Sequence, residues 1–287
     1  MPSADPTALI DGRPAAVVPL TDRGLQYGDG LFETIAVLDG EPLLWERHMQ
    51  RLAAGCARLL LPAPDPAILL EEARSLSADT ASGVLKLIYT AGSSQRGYAR
   101  PQLLQPRRIL VLSPPPDHPW RYWREGVDIG YCSLRLQPQG MFAGLKHLAR
   151  LEQVLARREV DGRGLVEGLL LDRDGCVVEA VACNVFAVCD GMLLTPPLDD
   201  AGVRGVMRDY VLELAQELGI PVAQRPLMPG QLAAAEEIFL TNSLIGLWPV
   251  RTLEGQHYGR GPVAARLLAR LIAAKAFLIP AGLNNDG

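Results

Sequence analysis

Three successive prolines, Pro114 to Pro116, interrupt the chain. Proline has no backbone N–H to give and holds φ near one value, so neither a helix interior nor a central strand runs through such a stretch. The surrounding run SPPPDHP, residues 113–119, reads as a stiff extended spacer. It predicts an N-terminal α/β domain over 1–113, a proline-rich linker over 114–120 and a larger C-terminal α/β domain over 121–287. The length suits two medium domains. With 48% hydrophobic against 21% charged residues, the chain has the side chains for a sizeable packed core.

On both sides of the spacer, short apolar runs mix with amphipathic ones. In the first part, residues 8–20 read as two short strands around Asp11-Gly12. Leu31–Val37 is a strand closed by a turn at Asp39-Gly40, and Val84–Tyr89 and Arg108–Leu112 are further strands. Met49, Leu52, Ala53, Cys56, Leu59 and Leu60 recur at helical spacing, and Ile68–Ser77 is a second helix. The glycine-punctuated stretch 22–30 and the run GSSQRGYARPQLLQP, residues 92–106, read as loops. In the second part, strands are predicted at Val127–Ser133, Gly168–Asp172, Val185–Val188, Met192–Thr195 and Glu237–Thr241, and helices at Leu148–Glu159, Val206–Leu218 and Pro262–Ile279. The class is α+β in two domains.

Several functions are disfavoured. A net charge of -4 and a pI near 5.6, with no basic stripe, give nucleic acid nothing to bind. No run approaches the ~20 apolar residues that span a bilayer. The start, MPSADPTALIDGRP, lacks the basic-then-apolar order of a secretory leader. No membrane association is expected, and the cytoplasm is the expected location. Cys56, Cys132, Cys176, Cys183 and Cys189 are odd in number and form no CxxC, so they read as small buried hydrophobes. The four histidines are scattered without an HExxH pattern, and no metal site is expected.

Chemistry that needs a primary amine has three candidates, because Lys86, Lys146 and Lys275 are the chain's only lysines. Lys146 stands between the loop-like GMFAGL and an amphipathic stretch with Leu148, Leu151, Val154 and Leu155 on one face. An amine at such a junction can project into a cleft. Glu179 lies between Val177-Val178 and the small apolar run Ala180–Cys183, where a buried carboxylate requires a cationic partner. Gly202 and Gly205 precede a helix opening near Val206, an arrangement that offers backbone N–H groups to a phosphate. Thr241-Asn242-Ser243 can add donors, and Arg47 and Arg51 on the first helix can neutralise charge. On spacing alone, the ordinary readings are a solvated lysine at Lys146 and a water-exposed rim carboxylate at Glu179.

Six segments in order carry a resemblance: DRGLQYGDGLFET (22–34), ERHMQRL (46–52), GLKHLARLEQV (144–154), VVEAVACNVF (177–186), GVRGVMRD (202–209) and EIFLTNSLIGLWPV (237–250). Together they resemble the fold-type IV enzymes of pyridoxal 5′-phosphate (PLP), which include branched-chain aminotransferases, D-amino-acid aminotransferases and aminodeoxychorismate lyases. The similarity runs from about residue 8 to residue 275. It implies a two-domain α+β fold of the D-amino-acid aminotransferase type, PLP in the cleft between domains with most of its contacts from the C-terminal one, and a homodimer whose sites draw on both subunits. It implies that Lys146 is the Schiff-base lysine and that Glu179 pairs with the pyridine nitrogen. Arg51 matches the phosphate-binding arginine, Val206 and Met207 the backbone donors at a helix start, and Asn242 and Ser243 the loop that closes the phosphate cup.

Within that group, DRGLQYGDG, GLKHLARLEQ, GSSQRGY (92–98) and the LTNSL loop are most similar to the lyases. The lyase branch implies conversion of 4-amino-4-deoxychorismate to 4-aminobenzoate and pyruvate in folate biosynthesis, with an upstream aminodeoxychorismate synthase as a functional partner. The alternative is a branched-chain or D-amino-acid aminotransferase on the same scaffold. Thr34 is the candidate to position or deliver the leaving group's proton. The substrate carries two carboxylates, and Arg96, Tyr98 and Arg108 are candidates to bind them, arginine because its donors form a planar fork.

Overall fold

In a computed structural model of the chain, residues 7–283 are described. The first six residues of the N-terminal stretch read above, and the last four of the chain, lie outside the described residues. The chain forms two compact units: Met1–Pro116 with Leu145–Ala149, and Asp117–Gly144 with Arg150–Gly287. Among the described residues, no helix is long and apolar enough to cross a membrane.

The first unit contains β1 (Thr7–Ile10), β2 (Arg13–Pro14), α1 (Arg23–Tyr27), β3 (Gly30–Leu38), β4 (Glu41–Pro42), α2 (Trp45–Leu59), α3 (Pro66–Ser77), β5 (Ser82–Thr90) and β6 (Arg107–Ser113). Its described strands form one antiparallel sheet in the order β2-β1-β6-β5-β3-β4. Alternation along the strands sorts the side chains. Leu31, Ile35 and Val37 of β3, Leu85, Leu87 and Tyr89 of β5 and Leu110 of β6 share a core with Trp45, Met49, Leu52 and Cys56 of α2 and Leu69 and Ala73 of α3. Fully burying each Leu or Ile there stabilises the fold by roughly 2 kcal/mol. The intervening residues, Phe32 and Thr34 of β3 and Lys86 and Ile88 of β5, belong to the opposite face.

Two sequence expectations change in this unit. The stretch read as a loop contains α1, because the Asp22 carboxylate accepts the Gly24 N–H at 2.8 Å and Gly28, at φ 67°, closes the far end. The helix expected from Leu148 starts only at Leu151. Residues 146–148 instead pair with β3: the Phe32 N–H donates to the Lys146 carbonyl at 3.0 Å, and the Leu148 N–H donates to the Gly30 carbonyl at 3.1 Å. That pairing moves Lys146 out of the C-terminal domain, where the linear reading puts it, and into the first unit.

The second unit contains α4 (Arg121–Arg124), β7 (Val127–Leu136), α5 (Leu151–Gly162), β8 (Glu167–Asp172), β9 (Val177–Ala180), β10 (Asn184–Cys189), β11 (Met192–Thr195), α6 (Val206–Glu217), β12 (Val222–Gln224), α7 (Pro229–Ala233), β13 (Glu237–Asn242), β14 (Gly246–Leu253), β15 (Gln256–His257) and α8 (Pro262–Ala273). Its described strands run β12-β11-β10-β13-β14-β7-β8-β9, with β15 on β14. The sheet is mixed, since β14, β7 and β8 pair in parallel. Sequence reasoning does not find β14, and Pro249 inside it explains why: proline argues against a strand, yet the pairing tolerates it beside a register shift between Val250 and Thr252. The last helix stops six residues short of Ile279, and Lys275, at φ 48°, turns the chain away.

Candidate active site

The first unit gathers an amine, a hydroxyl and a second amine on one sheet face. Lys146 Nζ stands 4.3 Å from the centroid of the Phe32 ring, and Lys86 Nζ stands 5.4 Å from the same ring. Both distances are within reach of a cation–π contact. Thr34 lies two residues beyond Phe32 and directly opposite Lys86 across the β3–β5 pair, so its side chain leaves from the same face. The backbone pairing of residues 146–148 with Gly30–Phe32 fixes the root of the Lys146 side chain. Lys86 is one of the three amines counted from the sequence, but the sequence assigns it no role at the site. Its signal was available only once the β3–β5 register was known.

Arg51 of α2 is held by a buried carboxylate. Its Nε donates to Glu33 Oε1 at 2.9 Å and its Nη2 donates to Glu33 Oε2. His48, one helical turn before Arg51, is fully buried, and its Nδ1–H donates to Glu33 Oε2 at 2.6 Å. Burial alone would push Glu33 up. The Arg51 charge, the His48 hydrogen bond and charge, and the Arg51 hydrogen bonds outweigh it and hold the carboxyl at about 2. Burial lowers the His48 pKa against the pull of Glu33, and the charges of Arg51 and Lys146 lower it further. The Lys146 charge is therefore felt in this cluster. A guanidinium has five N–H donors in a rigid fork, and Glu33 engages one edge of it and sets its orientation. Neither Glu33 nor His48 was singled out from sequence, although Glu33 occupies an apolar phase of β3, between Leu31 and Ile35.

The three candidates for substrate carboxylates go to different places. Arg108 is opposite Tyr89 on the core side of the sheet, where Nε and Nη2 donate to Glu72 of α3 and the backbone N–H donates to Asp11. Strand alternation thus puts it on the face away from Phe32 and Thr34, where it is bonded to Glu72 and, contrary to expectation, is not on the face of the candidate site. Arg96 and Tyr98 are exposed on the loop after β5, and the Tyr98 ring rests on Tyr27 with centroids 5.4 Å apart.

The second unit builds a separate set of groups. Glu179 of β9 is 4% exposed, and its Oε2 accepts the Val203 N–H at 2.8 Å. Gln153 of α5 approaches Oε1 at 3.5 Å. Val203 is three residues before α6, so the carboxylate and the start of that helix adjoin. The helix opens on Gly205, whose backbone is extended and which gives no side-chain cap. A β-carbon at position 205 would overlap Asn184 Oδ1, and Asn184 is itself tied to the Val203 carbonyl by a bond of 2.8 Å. Val206 and Met207 are the first helical residues, with buried side chains. Asn184 pairs with Thr241, which brings the 241–243 turn alongside. Asn242 spends its side chain inside that turn: Oδ1 accepts the Leu244 and Ile245 N–H groups, and Nδ2 donates to the Ala182 carbonyl. Asn242 thus shapes the turn, and Ser243 at its apex is half-buried. The Thr241 hydroxyl is fully buried without a protein partner.

The fold and these groups define a class. The chain belongs to the amino-transferase class IV family, whose model matches residues 30–253. Aminodeoxychorismate lyase from Vibrio harveyi is 36% identical over 241 residues, 84% of this chain and 89% of the relative. A crystal structure of 4-amino-4-deoxychorismate lyase from Pseudomonas aeruginosa superposes with a TM-score of 0.90 at 48% identity, covering 94% of this chain and 100% of that one. A hypothetical aminotransferase from Mycobacterium tuberculosis in its PLP-bound form superposes with a TM-score of 0.77 at 27% identity, over 91% and 93%.

The chain's own residues fit that cofactor. PLP presents an aldehyde, a pyridine nitrogen and a phosphate. The first unit contains an amine at Lys146, and the second, taken by itself, contains a buried carboxylate at Glu179. The uncapped start of α6 supplies N–H donors where the helix dipole favours an anion. The Thr241 hydroxyl, buried and without a partner among the described residues, is a polar group that a bound ligand could satisfy.

Proposed function

We propose that this chain is a PLP-dependent lyase that converts 4-amino-4-deoxychorismate to 4-aminobenzoate and pyruvate. The observation that carries the reading is the Lys146 amine on one sheet face with Thr34 and Lys86. Its likeness to the Pseudomonas lyase favours a lyase over a transaminase. When bound, PLP supplies an electron sink that makes the hydrogen on the amine-bearing carbon removable.

The protein orients the substrate and moves protons. Lys146 would anchor the cofactor through Nζ. As a free neutral amine, Nζ would take the proton from the carbon that bears the substrate amine. The enolpyruvyl ether then departs, its oxygen takes up a proton, and the ring becomes aromatic. Thr34 holds or delivers that proton from its hydroxyl. Lys86 and Arg96 are the cations for the two carboxylates, one an amine on the Phe32 face and the other an exposed fork. Glu179 is the carboxylate that would pair with the pyridine nitrogen and hold its proton. The Val206 and Met207 N–H groups and Ser243 would hold the phosphate, with Asn242 keeping the turn in shape, and Arg51 is the arginine that would pair with it.

The same reading makes the protein a cytoplasmic homodimer in folate biosynthesis, fed by an aminodeoxychorismate synthase. Replacing the amine tests the chemistry: Lys146→Ala is expected to abolish both turnover and the borohydride-bleachable absorbance of the bound cofactor. Retained turnover would exclude Lys146 as the acting amine.

A further inference from the structure

The loop that carries Arg96 and Tyr98 is wrapped around a buried guanidinium. Arg23 of α1 is 3% exposed. Its Nη1 donates to Ser94 Oγ at 2.9 Å and to the carbonyls of Gly97 and Ala99 at 3.2 and 3.3 Å. Its Nη2 donates to the Tyr98 carbonyl at 3.0 Å. Its Nε donates to Asp29 Oδ2 at 2.8 Å. Asp29 also accepts two bonds from Arg100, which in turn donates to the Leu59 carbonyl at the end of α2 at 2.7 Å. Tyr27 adds a hydroxyl that accepts the Gly97 N–H at 3.2 Å and a ring beneath Tyr98. Three consecutive carbonyls thus turn inward onto one cation, which leaves the Arg96 side chain outside, exposed and without a bond to any described residue.

This hub also borders the lysine segment. The Asp29 N–H donates to the Arg23 carbonyl, and the next residue, Gly30, accepts the Leu148 N–H. The loop and the strand pairing that roots Lys146 are therefore anchored to the same turn, residues 28–30. A lysine at position 23 would keep the charge but lose the planar fork that reaches five acceptors in different directions.

We propose that Arg23 is a positioning residue for substrate recognition: it fixes the 93–100 loop so that Arg96 presents its guanidinium to a substrate carboxylate. The proposal rests on the lyase reading and its assignment of Arg96 as a carboxylate ligand. Arg23 itself touches neither substrate nor cofactor. Losing it loosens the loop, which should raise KM for the dicarboxylate and leave the proton transfers, and so kcat, nearly alone.

The test uses the PLP-loaded enzyme, 4-amino-4-deoxychorismate, and trypsin as a reporter of the loop, since trypsin cleaves after Arg96. Arg23→Gln is expected to raise KM about tenfold with kcat within about twofold of the parent, and to be nicked after Arg96 much faster. Arg96→Ala is expected to raise KM similarly, and the double variant to be no worse than Arg96→Ala, because both changes remove one function. Ser94→Ala, which removes one of the five bonding partners, is expected to show a smaller shift in the same direction. It decides the matter if Arg23→Gln does not fold. A raised KM in Arg96→Ala with an unchanged KM in the Arg23 and Ser94 variants overturns the positioning role alone. A fall in kcat without a change in KM, or a raised KM with no change in nicking, also overturns it. An unchanged KM in Arg96→Ala overturns the carboxylate assignment and this proposal with it.

Discussion

Two buried carboxylates, one in each unit, titrate in opposite senses. Glu33 is held at about 2 against an ordinary 4.5, because the Arg51 charge and the His48 and Arg51 bonds outweigh its burial. Its stabilising contribution is complete above pH 4.5 and is lost as pH falls toward 2. Glu167, buried on β8 with Arg157 Nη1 at 3.6 Å, is pushed up to about 7 chiefly by burial. The folded protein keeps it protonated while the unfolded chain ionises, so its contribution is complete below pH 4.5 and drains away as pH rises to 7. Each window is worth on the order of 3 kcal/mol. Denaturation midpoints followed from pH 3 to pH 8 should therefore fall in Glu33→Gln above pH 4.5, and rise in Glu167→Gln at pH 7 and above. Parallel curves for parent and variants would show that neither carboxyl is shifted.

Single residues were legible where chemistry sets them apart and illegible where register does. Lys146 stood out as one of three lysines, and Glu179 as a carboxylate in an apolar strand. Arg108 and Lys86 are the instructive pair. Both are cations on strands of the same sheet, and only the β3–β5–β6 register decides which face each one takes. A shift of one residue would exchange them.

At the scale of elements, the start of α6 depends on an absent side chain. Gly205 meets Asn184 so closely that a methyl group has no room, and the Val203 carbonyl keeps Asn184 from retreating. Gly205→Ala should displace the helix start, weaken PLP binding about tenfold or more and lower the melting temperature. Cofactor affinity can be read from absorbance or fluorescence titration, and unchanged affinity would mean that the phosphate is held elsewhere. Helix positions followed from apolar spacing, and most strands from short β-rich runs. The exceptions have local causes. In α1, caps at Asp22 and Gly28 make a five-residue helix too short to show a period. Pro249 masks β14. Residues 148–150 carry helical spacing but lie outside the helix, and Leu148 gives its N–H to the Gly30 carbonyl instead.

For the whole molecule, the proline-rich run marks where the first unit's main segment ends, at Pro116, yet the return of Leu145–Ala149 to that unit could not be read from the chain. Five residues change domain because backbone pairing with β3 is long-range, and no local pattern encodes a long-range partner. That return gives the account its central claim, that the amine on the Phe32 face drives an elimination. The most direct measurement is to give the purified, PLP-loaded protein 4-amino-4-deoxychorismate and quantify both products together with the state of the cofactor. The expected result is 4-aminobenzoate and pyruvate in a one-to-one ratio, with the cofactor left as PLP. Conversion of the cofactor to pyridoxamine phosphate with no aromatic product would contradict it.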